Sequence, residues 1–187
     1  NLSRATARRI LLTLQRAGFV AGDERLFSLT PRVLALASAY LSSNQIVAVM
    51  QPLMDDISTK AREVCSLAIL DGDEAVFVAR ASPARVFSAG IDNGYRLPAY
   101  CTSVGRVLLG RLSNDDLTSA IAAMTVIAHT PETVTDKSTV TATIISDRNK
   151  GYSLVDREAE PGFRSISVPI RRYDGAVVAA ANIGAHV

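Results

Sequence analysis

The most informative part of the sequence is residues 1–36, which read NLSRATARRILLTLQRAGFVAGDERLFSLTPRVLAL. Ser3 suits the N-cap of a helix, and Gly18 stands where a left-handed residue would end that helix. Short apolar runs then flank a polar tip at residues 22–25, which predicts a two-stranded hairpin. Thr30 and Pro31 follow as N-cap and first-turn signals, so we expect a second helix from this point.

Charge is distributed unevenly along the chain. Residues 1–32 contain six arginines and two acidic residues, a net charge of +4, whereas the remainder contains 14 basic and 16 acidic residues, a net charge of −2. Such asymmetry indicates that the amino-terminal part faces nucleic acid. Because a basic helix followed by a hairpin is the second half of a winged helix-turn-helix, we predict a partial winged-helix DNA-binding domain over residues 1–30.

The first helix combines one apolar stripe with a basic opposite side. The apolar positions at helical spacing are Ala7, Ile10, Leu11, Leu14 and Ala17. In recognition helices the amino-terminal residues reach base edges, while longer basic side chains contact phosphates. The predicted base-facing residues are Ser3, Arg4, Ala5, Thr6 and Arg8, and the predicted phosphate contacts are Arg9 and Arg16. The alternative is a solvated amphipathic helix whose arginines contact nothing.

The composition is that of a globular chain of one to two domains. Of its 187 residues, 48% are apolar and 20% are charged. No apolar run approaches the roughly 20 residues needed to cross a bilayer, and no signal peptide is visible. Cys65 and Cys101 are too few for a disulfide scaffold. We therefore expect a protein of the reducing cytoplasm with no membrane partner.

Beyond the first hairpin, apolar patterning predicts a mixture of strands and helices. A linker helix over residues 31–45 ends at Ser42-Ser43-Asn44, and an amphipathic helix follows from about Ile46 to Ala61. The predicted strands are residues 64–70, 75–79, 86–91, 163–170 and 176–183, and further helices begin at Ser103 and Ser113. This order predicts an α+β domain over residues 46–187.

Residues 134–150 are ambiguous between the two kinds of element. The β-branched residues Val140, Ile144 and Ile145 favour a strand by propensity. Asp136 as N-cap and Gly151 as C-cap favour a helix, which is the interpretation we prefer.

Three segments, in this order, resemble the IclR family of bacterial transcription regulators. They are LSRATARRILLTLQRAGFV with the wing FSLTPRVLAL, then RLPAYCTSVGRVLLG, and then GYSLVDREAEPGFRSISVPI with GAVVAAANIG. Together they cover nearly the whole chain. The phrase LDGDEAVFVARAS, residues 70–82, is most similar to the branch that controls aromatic-acid catabolism in the protocatechuate and β-ketoadipate pathway.

The resemblance implies a winged helix, a linker helix, and a GAF-like effector domain whose curved antiparallel sheet binds a small organic acid, aromatic or dicarboxylic. It also implies double-stranded operator DNA as a partner, homodimers that often pair into tetramers, and no cofactor. The family's first two DNA-binding helices and its terminal helix have no counterpart in residues 1–187. We therefore expect competent DNA binding from the complete protein rather than from this chain alone.

The resemblance also implies a set of effector-binding positions. They are Val86, Ala89, Leu97, Ser103, Val104, Val155, Phe163 and Ser165. Relatives can carry an acidic residue at the position of Val155 and a cysteine at that of Ser165, so we expect a ligand other than the smallest keto acids. Ser103 with the first N–H groups of its helix would suit a carboxylate. The alternative is that Ser103 is only an N-cap and Phe163 only a core residue.

No catalytic or metal-binding pattern is present in the sequence. His129 and His186 are the only histidines, and neither is close in sequence to a cysteine or a carboxylate cluster. Asp156, Glu158 and Glu160 alternate on a predicted loop, and we interpret them as a solvated segment. We therefore predict a ligand-responsive, DNA-binding transcriptional regulator and not an enzyme. The alternative is a small-molecule sensor or a small α+β enzyme without DNA binding.

Overall fold

The structure is a computed structural model that describes residues 2–23, 26–43, 45–83 and 93–186. The chain divides into two compact units, residues 1–46 and residues 47–187.

The amino-terminal unit consists of two helices with a hairpin between them. Its elements are α1 (Arg4–Arg16), β1 (Val20–Gly22), β2 (Phe27–Leu29) and α2 (Val33–Ser43). Ser3 Oγ accepts a hydrogen bond from the Thr6 N–H, and Gly18 has a φ of 79°. Both predicted end signals of α1 are therefore confirmed, because an oxygen caps its first turn and a left-handed glycine follows its last.

Hydrogen bonds connect the hairpin and its flanking residues to α1 and to the glycine that follows it. Gln15 Nε2 donates to the Gly22 carbonyl at 2.9 Å, and Thr30 Oγ1 donates to the Gly18 carbonyl at 2.6 Å. No residue of α1 is buried, and Ile10 and Leu14 on its apolar stripe are 45% and 38% exposed. The apolar stripe predicted for α1 is thus only partly covered by the described residues.

The second unit is an antiparallel sheet with helices. Its elements are α3 (Gln45–Ala61), β3 (Val64–Asp71), β4 (Glu74–Ala81), β5 (Arg96–Pro98), α4 (Ser103–Leu109), α5 (Asn114–Ala123), α6 (Lys137–Lys150), β6 (Ser153–Asp156), β7 (Phe163–Arg171) and β8 (Val177–His186). The six strands run in the order β5-β4-β3-β8-β7-β6. This confirms the predicted α+β class. The strand predicted at residues 86–91 lies outside the described residues, and β5 and β6 were not predicted.

Local signals decide the ambiguous segment in favour of a helix. Asp136 caps α6 by accepting a hydrogen bond from the Thr139 N–H, and Gly151 ends it with a φ of 83°. Hydrogen bonds from the side chains of Ser138 and Thr139 lower the pKa of Asp136 to about 2. The strand propensity of the β-branched residues is overridden because α6 buries Val140 and Ile144 in the core.

Helix α4 occupies the centre of the second unit. All seven of its residues are buried, and apart from Ser103 and Arg106 they are apolar or glycine. One side packs on the sheet beside Ala68 and Phe77, and the other packs on residues of α5 and α6. A Cβ atom at Gly105 would lie 2.2 Å from Ala99 Cα, so only glycine allows this close approach.

Strand register places polar side chains in a line beneath α4. Ser66, Asn182, Ser167 and Ser153 are successive cross-strand partners on β3, β8, β7 and β6. Directly opposed residues point to the same side of a sheet, and Ser167 bonds to Ser103 of α4. We call these four residues the polar row, and the side of the sheet that carries them the inner face.

Candidate functional site

A cavity of about 350 Å³ lies between the inner face of the sheet and the start of α4. Its wall combines apolar and aromatic side chains with a few hydroxyl, amide and carboxylate groups. The lining residues are Phe77, Tyr95, Leu97, Cys101, Thr102, Ser103, Val104, Val155, Ala159, Glu160, Phe163, Ser165 and Asn182. This volume and composition suit a small organic ligand.

Most of the predicted effector-binding residues meet at this cavity. Those in its wall are Leu97, Ser103, Val104, Val155, Phe163 and Ser165. Register explains part of the grouping, since Val155 and Ser165 are cross-strand partners and Phe163 precedes Ser165 by two residues on the same face. Val86 and Ala89 lie outside the described residues. A role in effector binding stays a prediction for all eight.

Ser103 is the centre of a buried hydroxyl cluster. Its Oγ lies 2.7 Å from Ser165 Oγ and 2.6 Å from Ser167 Oγ. The expectation that Ser103 is the N-cap of α4 is wrong, because Thr102 has the extended backbone and its Oγ1 accepts from the Gly105 N–H at 3.3 Å. Ser103 is therefore the first helical residue, and its side chain is free to bond with the sheet.

The serine cluster has one hydroxyl proton that is not used in a hydrogen bond within the cluster. Three serine hydroxyls carry three protons, and the two bonds within the cluster use two of them. Ser103 and Ser165 line the cavity, whereas Ser167 does not. A ligand carboxylate beside Ser165 would therefore order the cluster, with Ser167 donating to Ser103, Ser103 to Ser165, and Ser165 to the ligand.

Most of the cavity wall consists of apolar side chains and hydroxyl groups. Among the described lining residues, the single side chain with a formal charge is Glu160. The Cys101 thiol stays neutral, because burial and the nearby Glu158 carboxylate raise its pKa to about 11. Cys101 is thus a small buried thiol and not an activated nucleophile.

Phe163 shapes the cavity by lying over a glycine. A Cβ atom at Gly184 would lie 2.3 Å from Phe163 Cζ, so the ring occupies the space that any other residue would fill. His186 packs edge-on against the same ring, with centroids 5.3 Å apart. Gly184 and His186 therefore fix the position of the Phe163 ring, which forms part of the cavity wall.

The interpretation of Glu158 as part of a solvated segment is wrong. Glu158 is 8% exposed, and its Oε2 accepts a 2.7 Å hydrogen bond from Arg106 Nη2, as well as one from the Val134 N–H. Arg106 is 2% exposed and also donates through Nε to the Tyr100 carbonyl. The signal for this pair was an arginine inside an apolar helix, since a buried charge requires a partner.

Asn182 is a lining residue that sequence reasoning missed. It is 8% exposed, and its Oδ1 is enclosed with no hydrogen-bond partner among the described residues. The sequence feature that could have indicated Asn182 is its position as the single amide in the otherwise small and apolar run VVAAANIG. An enclosed oxygen without a donor costs free energy of folding.

The predicted DNA-contact residues are Ser3, the N-cap of α1, and six residues of α1 itself. Ser3, Arg4, Ala5, Arg8, Arg9 and Arg16 are exposed, and Thr6 is half-buried. Ser3 and Thr6 share a hydrogen bond between their hydroxyls at 2.9 Å. Contact of these residues with DNA stays a prediction.

The described parts of the chain contain no candidate metal centre. No group of three or more His, Cys, Asp or Glu side chains is placed to hold a metal ion there. No single described helix is long and apolar enough to span a membrane; one bent pair, Val33–Tyr40 with Gln45–Ala61, reaches that length and composition when the two are counted together.

Residues 38–187 match the family model described as bacterial transcriptional regulator IclR C-terminal. The chain belongs to the IclR family. The resemblance inferred from the three sequence segments is therefore confirmed. The chain is 41% identical to the Pca regulon regulatory protein of Pseudomonas putida, over all of this chain and 64% of that protein. It thus spans just under two thirds of the length of that relative.

Solved structures of other family members share the fold. A candidate transcriptional regulator from Rhodococcus sp. RHA1 is 44% identical and has a TM-score of 0.82, over 99% of this chain and 74% of that one. The inducer-binding domain of a double mutant of PobR from Acinetobacter, solved with 3-hydroxybenzoic acid, is 32% identical with a TM-score of 0.70, over 75% of this chain and 82% of that one. The similarity of this IclR chain to regulators of aromatic catabolism is thus also confirmed.

Proposed function

We propose that this IclR-family chain is the effector-binding and partial DNA-binding part of a cytoplasmic transcriptional regulator. A small organic acid in the cavity would modulate the binding of double-stranded operator DNA by α1. The observation that carries the proposal is the cavity itself, where Ser103, Ser165 and Phe163 meet at the start of α4. The alternative function, a sensor or small enzyme without DNA binding, leaves the basic amino-terminal helix without a role.

An aromatic acid fits the chemistry of the wall. The rings of Phe77 and Phe163 and the side chain of Leu97 offer apolar contact for a ring, and the spare proton of the serine cluster suits a carboxylate. The PobR inducer-binding domain was solved with an acid of this kind.

Regulation requires the effector to favour one arrangement of the protein over another. Tight binding that is equal in two arrangements changes nothing, so the effector must have a different affinity for the DNA-competent and DNA-incompetent forms. We propose that these forms are arrangements of a homodimer or homotetramer. Val49, Leu53 and Ile57 support an assembly, because they make an exposed apolar stripe at helical spacing on α3.

A matched pair of serine variants tests the effector site. Ser165→Ala and Ser167→Ala each remove one hydrogen bond to Ser103, but only Ser165 lines the cavity. Calorimetric titration with 3-hydroxybenzoate is expected to show affinity lowered roughly tenfold by Ser165→Ala and much less by Ser167→Ala. Thermal unfolding of both variants would check that their losses of stability are comparable.

Two results would contradict this assignment. If neither 3-hydroxybenzoate nor any other small aromatic or dicarboxylic acid binds the unmodified chain, the cavity is not an effector site. If both serine variants weaken binding equally, the contact at Ser165 is indirect, and the proposed orientation of the carboxylate is wrong.

A further inference from the structure

We propose that Arg96 is a positioning residue for the effector cavity, because it ties the short strand β5, which supplies part of the wall, to the turn between β3 and β4. The inference rests on the proposed function, since it takes the cavity to be the effector site. It goes further by assigning a role in effector binding to a residue that does not line the cavity.

Strand β5 is short and lies at an edge of the sheet. It contains three residues and pairs with β4 alone among the described strands. Tyr95 and Leu97, on either side of Arg96, nevertheless both line the cavity. A short edge strand has few backbone hydrogen bonds to oppose its detachment, so we expect β5 to open more readily than the central strands. The shape of the cavity therefore depends on what holds β5 in place.

Arg96 faces the outer side of the sheet, away from the cavity. Side chains alternate along a strand, so the position of Leu97 on the inner face places Arg96 on the other. There Arg96 Nε donates to Glu74 Oε2 at 2.6 Å, and its Nη2 donates to Asp71 Oδ2 at 2.8 Å. One planar guanidinium thus joins β5 to the last residue of β3 and the first residue of β4. We call these three residues the Arg96 clamp.

Two backbone hydrogen bonds form in the same region. The Phe77 N–H donates to the Tyr95 carbonyl, and the Ala99 N–H donates to the Asp73 carbonyl, each at 2.9 Å. Both require β5 to be docked on β4, so exchange of these two amide protons with solvent reports its detachment. The Arg96 clamp and these backbone bonds therefore stabilise the same docked form.

Effector affinity is coupled to the docking of β5. A ligand that packs on Tyr95 and Leu97 binds only the docked form, so its apparent affinity falls in proportion to the docked fraction. The three side chains of the Arg96 clamp are partly exposed, at 42% for Arg96, 65% for Asp71 and 39% for Glu74. Solvent screens such a network, so its loss should weaken effector binding several-fold and leave the fold intact.

Arg96→Ala, with Arg164→Ala as matched control, tests the Arg96 clamp. The Arg164 side chain is 47% exposed, donates to Asp156 Oδ2 at 2.8 Å, and also stands between two wall residues, Phe163 and Ser165. Its strand β7, however, has nine residues and is paired on both sides. Calorimetric titration with 3-hydroxybenzoate is expected to show affinity lowered roughly fivefold by Arg96→Ala and hardly changed by Arg164→Ala.

Removal of the carboxylates distinguishes positioning from direct contact with the ligand. The double variant Asp71→Ala/Glu74→Ala should lower the affinity about as much as Arg96→Ala, because it breaks the same link. If Arg96 bound the acid directly, its release from the two carboxylates would raise the affinity instead. Arg96→Lys keeps the charge but not the planar fork, so its affinity should lie between those of Arg96→Ala and the unmodified chain.

Amide hydrogen exchange measures the docking of β5 itself. In Arg96→Ala the amide protons of Phe77 and Ala99 should exchange several-fold faster than in the unmodified chain, whereas those between β3 and β8 should keep their rates. Added 3-hydroxybenzoate should slow exchange at the same two positions, because it binds the docked form. High salt should bring the affinities of the unmodified chain and Arg96→Ala closer together.

The outcomes separate this inference from the proposed function. Failure of the unmodified chain to bind any small aromatic or dicarboxylic acid overturns both. Binding by the unmodified chain with equal affinity in Arg96→Ala, or with an equal loss in Arg164→Ala, overturns the inference alone. Faster exchange throughout the second unit of Arg96→Ala would show general destabilisation and would also overturn it. Should Arg96→Ala not fold, the Asp71→Ala/Glu74→Ala variant decides the same question.

Discussion

Arg106 and Glu158 form a buried ion pair, with Nη2 and Oε2 2.7 Å apart, that joins α4 to the segment following β6. Both ends of this link adjoin the cavity. Ser103 and Val104 of the wall lie within one turn of Arg106, and Ala159 and Glu160 of the wall directly follow Glu158. The Glu158 carbonyl also accepts a hydrogen bond from Thr133 Oγ1 at 2.6 Å. The pair therefore fixes two parts of the cavity wall relative to each other.

Glu158→Ala is expected to destabilise the fold strongly. Removing one partner of a buried ion pair leaves the other charge uncompensated, which typically costs about 3 to 5 kcal/mol. The free energy of unfolding in urea would measure the loss. Glu74→Ala is the matched control, since it breaks an ion pair with Arg96 of similar length that solvent screens, and its effect should be far smaller. If the two variants lost similar amounts of unfolding free energy, the buried Arg106 charge would not depend on Glu158 for its compensation.

Gly184→Ala is expected to reduce the free energy of effector binding by more than it reduces the free energy of unfolding. The added Cβ would lie 2.3 Å from Phe163 Cζ, so the ring must move, and His186 limits its movement on one side. Displacement of the ring alters the wall on which a ligand ring would pack. Titration with 3-hydroxybenzoate measures the change. Ala185→Ser, at the adjacent position facing away from the inner face, is the control, and equal effects of both substitutions would rule out a specific role for the Phe163–Gly184 contact.

Stability is expected to fall as the pH rises above about 9. Burial and then the Glu158 carboxylate raise the pKa of the Cys101 thiol from 9.0 to about 11 in the folded chain. The unfolded chain loses this proton near pH 9, so the stability linked to the neutral thiol is fully present below pH 9 and is lost as the pH approaches 11. Urea unfolding between pH 8 and pH 11 should show the decline, and Cys101→Ala should make it shallower. Parallel declines in both proteins would remove Cys101 as the cause.

Features that depend on neighbouring residues in the sequence could be predicted, and features that depend on strand register could not. Ser3 and Gly18 bound α1 as predicted, because caps and left-handed glycines act within a single turn. Family resemblance supplied positions such as Phe163 and Ser165, which the structure brings to one cavity. The neighbours of Asn182 are set by pairing across β3, β7 and β8, and no local pattern in the sequence reports that pairing.

The two sequence predictions that were wrong also concern features that the three-dimensional structure decides. Thr102 rather than Ser103 caps α4, because two adjacent hydroxyl residues suit an N-cap equally and only the backbone geometry decides between them. Glu158 was misjudged because its partner Arg106 lies 52 residues away in the sequence. Arg106 is a strong indication of such a partner, but the sequence does not say which of several carboxylates it is.

Arg9→Ala in the full-length protein is expected to weaken operator binding about equally for specific and unrelated DNA sequences. Arg9 is exposed on α1, on the side opposite the apolar stripe, and we expect it to contact a phosphate rather than a base. Losing one phosphate contact should reduce the slope of the logarithm of affinity against the logarithm of salt concentration by about one. Fluorescence anisotropy at several salt concentrations measures that slope. Arg111→Ala, an exposed arginine of the second unit, is the control and should leave it unchanged. An unchanged slope for Arg9→Ala would refute a phosphate contact, whereas a loss confined to the operator sequence would reassign Arg9 to base recognition.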